Sequence, residues 1–126
     1  MSVDSWQPVQ APKKLEESDL NQLIGLAHDF NEDTDLTAHL SWIQPLAQAD
    51  KKIWAQSIQN IPQTALIELI RMFTIVEQQQ GWNLAEKSPV IALFKQLRKL
   101  AGIDKPLVSW VKTHSDNKFL PFGPLL

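Results

Sequence analysis

The sequence predicts an all-α protein: a compact bundle, or a short helix-pair array, of five to six helices with a non-helical C-terminal strap. Apolar residues recur at three- and four-residue intervals through most of the chain, as on one face of a helix. Prolines, glycines and capping residues stand where such stretches begin and end. Since no stretch alternates apolar and polar residues as a half-buried strand does, we expect no sheet.

The first two helices are predicted on either side of an acidic link. Ser18 is a suitable cap for helix one, which should end near Phe30 and bury an apolar stripe made by Leu20, Leu23, Ile24, Ala27 and Phe30. The second helix should carry Leu36, Leu40 and Ile43. It should end or kink at about Gln44, because Pro45 lacks a backbone N–H.

The third and fourth helices form the predicted centre. Asp50 should cap the third, in which Ile53, Trp54, Ser57 and Ile58 share a face. The fourth should run from the first turn at Pro62 to about Gln80, where Gly81 ends it. Apolar residues cover most of its circumference and leave one polar strip, which consists of Thr64, Glu68, Arg71 and Gln78. Such a helix should be surrounded by others. We expect Glu68 and Arg71 to pair on the strip.

The fifth and sixth helices carry the clearest end signals. Ser88 should cap the fifth, with Pro89 in the first turn and Gly102 as the stop. Its apolar face should consist of Val90, Leu93, Phe94, Leu97 and Leu100. The sixth should start near Lys105 and place Leu107, Trp110, Val111 and His114 on one side.

The predicted organisation is one helical domain, residues 15–115, between a flexible N-terminal arm, residues 1–14, and an extended apolar tail, residues 116–126, that packs on the domain. Internal prolines at positions 45, 62, 89 and 106 are spaced as two pairs offset by 44 residues. This offset resembles the period of helix-pair repeats. Chance placement of prolines in first turns is the favoured explanation, and a true repeat is the alternative.

Composition limits the possible classes of function. The chain has no cysteine, which excludes disulfides, thiolate zinc sites and a cysteine nucleophile. The first residues lack the basic start and apolar stretch of a secretory signal, so we expect a cytoplasmic protein. The most apolar segment, residues 65–76, is shorter than a membrane span and contains Glu68 and Arg71, so we expect no membrane partner.

No residue pattern indicates a catalytic, cofactor or metal site. The segment of residues 28–39 is rich in metal ligands, but as a calcium loop it has Thr34 where glycine is needed and Leu40 where a glutamate is needed. Its acids should instead cap helices. Ser115, His114 and Asp116 are the residue types of a catalytic triad, but immediate neighbours point in different directions. We therefore predict a non-catalytic protein, with an enzyme of unrecognised type as an alternative.

Charge divides the chain unevenly. Residues 1–86 have a net charge of −7, whereas residues 87–126 have +5. Lys95, Arg98 and Lys99 share the side of the fifth helix opposite its apolar face, so they should form a basic face. Such a face suits an acidic protein partner. It would also suit nucleic acid, with Trp110 or Phe119 as a stacking surface, although no nucleic-acid-binding motif is present.

The C-terminal strap is unusually apolar. It contains the large apolar residues Phe119, Leu120, Phe122, Leu125 and Leu126, separated by prolines and a glycine that prevent a helix. Since soluble monomers rarely expose such a segment, it should lie against a surface. The domain itself is favoured over a partner or a second copy, in which case Phe119 and Phe122 should be largely buried.

These observations predict a small interaction or regulatory protein that acts through its surfaces. The expected contact residues are those of the basic face, Lys95, Arg98 and Lys99, and the apolar residues of the strap. The partner should be a protein, possibly an acidic one, and the chain should be a monomer or weak homodimer. A nucleic-acid-associated protein that uses the basic face of the helix over residues 89–101 is the alternative.

Overall fold

Six α-helices joined by short loops make up the computed structural model, which describes residues 15–82 and 84–123. The helices are α1 (Glu17–Asp29), α2 (Leu40–Ala47), α3 (Lys51–Ser57), α4 (Gln63–Gln80), α5 (Pro89–Ala101) and α6 (Lys105–His114). Short 3-10 helices, Thr37–His39 and Ala85–Lys87, precede α2 and α5. These residues contain no strand, so the all-α prediction is confirmed. The predicted arm, residues 1–14, lies outside the described residues.

Most of the predicted helix ends are confirmed by local hydrogen bonds. The Asp50 carboxylate accepts from the Lys52 N–H at 2.8 Å at the start of α3. The Ser88 hydroxyl accepts from the Val90 N–H at 3.2 Å at the start of α5. Gly81 ends α4 in the left-handed region, with φ of 65°, which glycine adopts without steric cost. Side-chain capping and glycine therefore define these boundaries as the sequence predicts.

Two predicted boundaries are wrong. Helix α1 begins at Glu17 rather than after a Ser18 cap, because Glu16, two residues earlier, is the N-cap and forms a reciprocal capping box with Asp19. Helix α2 continues through Pro45 to Ala47. The proline removes one backbone hydrogen bond, but Leu46 and Ala47 beyond it are buried in the core, and their burial offsets that loss.

Helix α4 lies at the centre of the fold, as predicted. It packs against α1, α5 and α6. Its buried side chains extend around most of its circumference and include Leu66, Leu69, Ile70, Met72, Phe73 and Val76. Phe73 also meets Trp54 of α3 edge to face, with ring centroids 5.6 Å apart. The central helix thus contributes to the packing of every long helix around it.

The polar strip of α4 faces outward, but its charged residues do not pair with each other. Glu68 pairs with His28 of α1, whose Nδ1 lies 3.1 Å from Oε2. Arg71 lies over the ring of Trp110 of α6, 5.7 Å from its centroid. The predicted Glu68–Arg71 pair is therefore wrong, because neighbouring helices offer each residue a partner that the sequence alone cannot place nearby.

Two further expectations for the helices need correction. Leu100 was expected on the buried face of α5 but is 53% exposed, because it lies in the last turn, past the residues that cover that face. The four prolines do not occupy equivalent positions: Pro45 is inside α2 and Pro62 is the N-cap of α4, whereas Pro89 and Pro106 lie in first turns. Their regular spacing therefore does not mark a repeated structure.

A buried carboxyl group lies between α4 and α5, which the sequence analysis missed. Glu77 is 5% exposed, and its Oε2 accepts a hydrogen bond from the Ser88 hydroxyl at 2.8 Å. Burial raises the pKa of Glu77 to about 8, and the Ser88 hydrogen bond opposes this only in part. The side chain is therefore mainly protonated at neutral pH.

The central position of α4 predicts the effect of truncating its largest side chain. Phe73→Ala should lower the free energy of unfolding by about 3–5 kcal/mol, because the ring is fully buried. The exposed Leu100→Ala is the control and should change it by no more than about 0.5 kcal/mol. Urea unfolding measures both. Equal losses would contradict the placement of α4.

The raised pKa of Glu77 predicts a pH-dependent contribution to stability. The folded state binds the proton more tightly than the unfolded state, where the pKa is near its ordinary 4.5. This contribution is fully present below pH 4.5 and is lost as the pH rises through about 8, by up to about 1.4 kcal/mol per pH unit. Urea unfolding from pH 4 to 9 should show this slope in the wild type and not in Glu77→Gln. Parallel profiles would show that the carboxyl ionises normally.

Candidate functional site

A groove between α3 and α5 brings together three lysines of the described part of the chain. Its volume is about 150 Å³. Ala55, Ile91 and Ala92 supply its apolar surface, and three lysines, Lys51, Lys95 and Lys99, line it. The side-chain amides of Gln56, Gln59 and Gln96 complete the lining. We call this site the basic groove.

The local sequence explains how the three lysines come together. Lys95 and Lys99 are four residues apart and therefore neighbours on one face of α5. The Asp50 cap starts α3 at Lys51. The Gln96 amide donates to the Gln59 carbonyl at 3.2 Å and so joins α5 to the end of α3. The packing of α3 against α5 thus brings Lys51 to the same groove as Lys95 and Lys99.

No carboxylate of the described residues pairs with a lysine of the basic groove. The lining residues include no aspartate or glutamate. In residues 15–82 and 84–123 the ion pairs join His28 to Glu68 and His114 to Glu32, and neither involves a lysine. Lys51, Lys95 and Lys99 are all exposed to solvent. The groove therefore presents three positive charges beside apolar and amide surface.

The predicted basic face is divided in the structure. Lys95 and Lys99 line the groove, but Arg98 points to the strap, where its guanidinium carbon lies 5.7 Å from the centroid of Phe122. Lys112 of α6 lies 5.8 Å from the same ring. Lys51 joins the groove from α3, and no helical spacing in the sequence connects it with α5. Only the packing of the two helices reveals its place in the site.

The strap packs on the helices as predicted, but Leu120 is the most deeply buried of its large apolar residues that the structure describes. Leu120 is 3% exposed, whereas Phe119 is half-buried and Phe122 is 37% exposed. The expectation that Phe119 and Phe122 are largely buried is therefore wrong for Phe122. The Phe122 ring meets the Phe94 ring edge to face, with centroids 5.3 Å apart. The rest of the Phe122 ring faces solvent and the cations of Arg98 and Lys112. Leu125 and Leu126 lie outside the described residues.

Gly123 brings the strap to the edge of the basic groove. A Cβ at this position would lie 3.2 Å from Cγ2 of Ile91, and the φ of 86° also favours glycine. Ile91 is one of the apolar residues that line the groove. The groove and the exposed side of Phe122 therefore belong to adjacent parts of one surface.

The residue types suggestive of catalysis are engaged elsewhere. His114 stacks on Trp110 with centroids 4.2 Å apart, and its Nε2 lies 3.1 Å from the Glu32 carboxylate. Its Nδ1 lies 2.7 Å from the Trp110 carbonyl. Both ring nitrogens thus have partners other than Ser115 and Asp116. In the acidic segment, Asp35 accepts from the Thr37 N–H at 2.9 Å, but it lies one residue before Leu36, the N-cap of the 3-10 helix, and so is not the capping residue.

No protein-family model, curated protein or solved structure matches this chain. Among the helices of the described residues, none has both the length and the apolar character that crossing a bilayer requires. The chemistry of the surfaces themselves is therefore the basis for a functional proposal.

The burial of Leu120 predicts which strap residue holds the segment in place. Leu120→Ala should lower the free energy of unfolding by about 2–5 kcal/mol, the usual loss for a buried leucine. Phe122→Ala should cause a smaller loss although it removes more atoms, since this ring is already 37% exposed. Thermal unfolding of both variants gives the order. The reverse order would mean that Phe122 anchors the strap.

Proposed function

We propose that this protein is a non-catalytic cytoplasmic interaction module whose basic groove binds an acidic segment of a partner protein. The observation that carries the proposal is the set of three lysines, Lys51, Lys95 and Lys99, around one groove, with no carboxylate partner among residues 15–82 and 84–123. Carboxylates of a partner would supply the missing negative charges. Electrostatic complementarity of this kind favours rapid and selective association.

The lining favours an acidic protein segment over nucleic acid. Ala55, Ile91 and Ala92 offer apolar contact to side chains, and the glutamine amides can bond to a peptide backbone. Single-stranded nucleic acid commonly binds by stacking its bases on aromatic side chains, and the described residues that line the groove include none. Trp110 is occupied by His114 and Arg71, which leaves the stacking role that the sequence suggested for it without support.

The strap offers a second contact beside the groove. Phe122 keeps an exposed face, and Gly123 lies against Ile91 at the groove edge. Partly exposed aromatic side chains flanked by cations are frequent anchors in protein interfaces. An acidic segment that also carries an apolar residue would contact both parts of this surface.

Binding of a synthetic acidic peptide tests the proposal. A fluorescent peptide of alternating glutamate and leucine should bind the wild type, and its affinity should fall as salt rises because the charges are exposed. Reversing Lys51, Lys95 and Lys99 together to glutamate should reduce the affinity by at least about tenfold. Fluorescence anisotropy measures this. The fold should be retained, since exposed charges contribute little to stability.

A variant with the same change in net charge tests whether peptide binding depends on the groove or on net charge alone. Lys52, Lys87 and Lys105 are exposed and lie outside the groove lining, so their combined reversal to glutamate should leave most of the peptide affinity. Equal losses of peptide affinity in the two triple variants would mean that binding depends on net charge and not on the groove, which would contradict the proposal. Tighter binding of single-stranded oligothymidylate than of the peptide, lost in the groove variant, would favour the nucleic-acid alternative.

A further inference from the structure

A second cavity lies at the C-terminal end of α4 and shares no residue with the basic groove. Its volume is about 200 Å³. Glu77, Gln78 and Trp82 line it from α4 and the turn that follows, and Ser115, Asp116 and Asn117 line it from the segment after α6. The cavity thus joins the end of the central helix to the start of the strap.

Hydrogen bonds hold the walls of this cavity together. Gln78 accepts from the Asp116 N–H at 2.9 Å and donates to the Asp116 carboxylate at 2.8 Å. The Asn117 amide donates to the Ala85 carbonyl at 2.9 Å. Since these bonds connect three separate segments, the cavity is a built part of the fold.

One oxygen of the buried Glu77 carboxyl is available to a ligand. Oε2 accepts from Ser88, whereas Oε1 has no hydrogen-bond partner among the described residues. No fully buried side-chain nitrogen or oxygen in residues 15–82 and 84–123 lacks a partner. Oε1 must therefore keep contact with solvent, and Glu77 is one of the residues that line the cavity.

The surroundings of this oxygen favour a positive charge. Asp116 adds a second carboxylate, and the C-terminal end of the 18-residue α4 carries the negative end of the helix dipole. Trp82 provides an aromatic surface, which attracts cations. No lysine, arginine or histidine is among the described lining residues. The acidic residues, the helix dipole and the Trp82 ring thus all favour a positively charged ligand.

We propose that this cavity binds a small primary ammonium ion, with Glu77 and Asp116 as its carboxylate acceptors and Trp82 beside its aliphatic part. A primary ammonium has three N–H donors, which match the free oxygens and side-chain carbonyls of the lining. A quaternary ammonium has none and normally needs a cage of several aromatic rings. The ammonium group belongs either to a free small amine or to a lysine side chain of a partner.

The protonation of Glu77 makes this binding pH-dependent. Burial raises its pKa to about 8, so a cation that pairs with the carboxylate must displace a proton at lower pH. Asp116 is the other ionisable group among the described lining residues, and Ser88 of α5 faces Glu77 with a hydroxyl. Affinity for an ammonium ion should therefore rise up to about tenfold per pH unit from pH 6 towards 8.

Titration with n-butylammonium tests the proposal, with heat release and chemical-shift change of the Trp82 indole as readouts. Saturable binding should strengthen from pH 6 to 8. Isosteric n-butanol and tetramethylammonium should bind at least about tenfold more weakly, since each lacks the charge or the donors. Nα-acetyl-lysine methylamide presents the same ammonium group on a side chain and so distinguishes the two sources of the ligand. Binding of both amines indicates a lysine of a partner, whereas binding of butylammonium alone indicates a free small amine.

Conservative variants assign the effect to the cavity. Glu77→Gln should reduce butylammonium affinity by at least about tenfold and remove its pH dependence, without unfolding the protein because the carboxyl is already mainly protonated. Asp116→Asn, which keeps a partner for Gln78, should weaken binding independently of Glu77. Glu86→Gln removes an exposed acid outside the lining and should bind as the wild type does. No saturation by butylammonium, unchanged affinity in Glu77→Gln, or equal affinity for butanol would overturn the proposal.

Discussion

The burial of α4 on most of its circumference is the constraint on which the rest of the structure depends. A helix that buries Leu66, Met72 and Ile75, which lie on different sides, cannot satisfy them with one neighbour. Helices α1, α5 and α6 pack around it, and α3 reaches it through Trp54. The polar strip is left between these neighbours, and its charged residues Glu68 and Arg71 find partners on α1 and α6.

Both candidate sites follow from this arrangement. Since α5 buries Leu93 and Phe94 inward, Lys95 and Lys99 are left on its outer side, where α3 meets them with Lys51. At the other site α4 ends against the start of α5 and the segment after α6, and the junction encloses Glu77, which bonds to Ser88 and lines a cavity. The two sites have opposite charge, which is how a chain of small net charge can offer two distinct surfaces.

The sequence predicted what local chemistry determines. Asp50, Ser88 and Gly81 mark helix ends because a cap or a left-handed turn acts within a few residues, and the apolar circumference of α4 predicts its central position. Prediction from the sequence failed where residues distant in the sequence determine the structure. Lys51 joins Lys95 only through helix packing, Arg71 prefers Trp110 to Glu68, and Pro45 is tolerated because Leu46 and Ala47 are buried. Nothing in the local sequence distinguishes Glu77 from an exposed acid near a helix end, because its burial depends on packing against Ser88.

Hydrogen exchange of the native protein tests the central claim most directly. If the other helices enclose α4, the amides of Leu69 to Val76 should be among the slowest to exchange, and they should exchange only when the whole protein unfolds. Their opening free energy should therefore equal the free energy of urea unfolding and should fall with urea concentration at the same slope. Amides near the ends of α1 and α6 should open more readily. Exchange of the central α4 amides through local opening, with a small dependence on urea, would contradict the account.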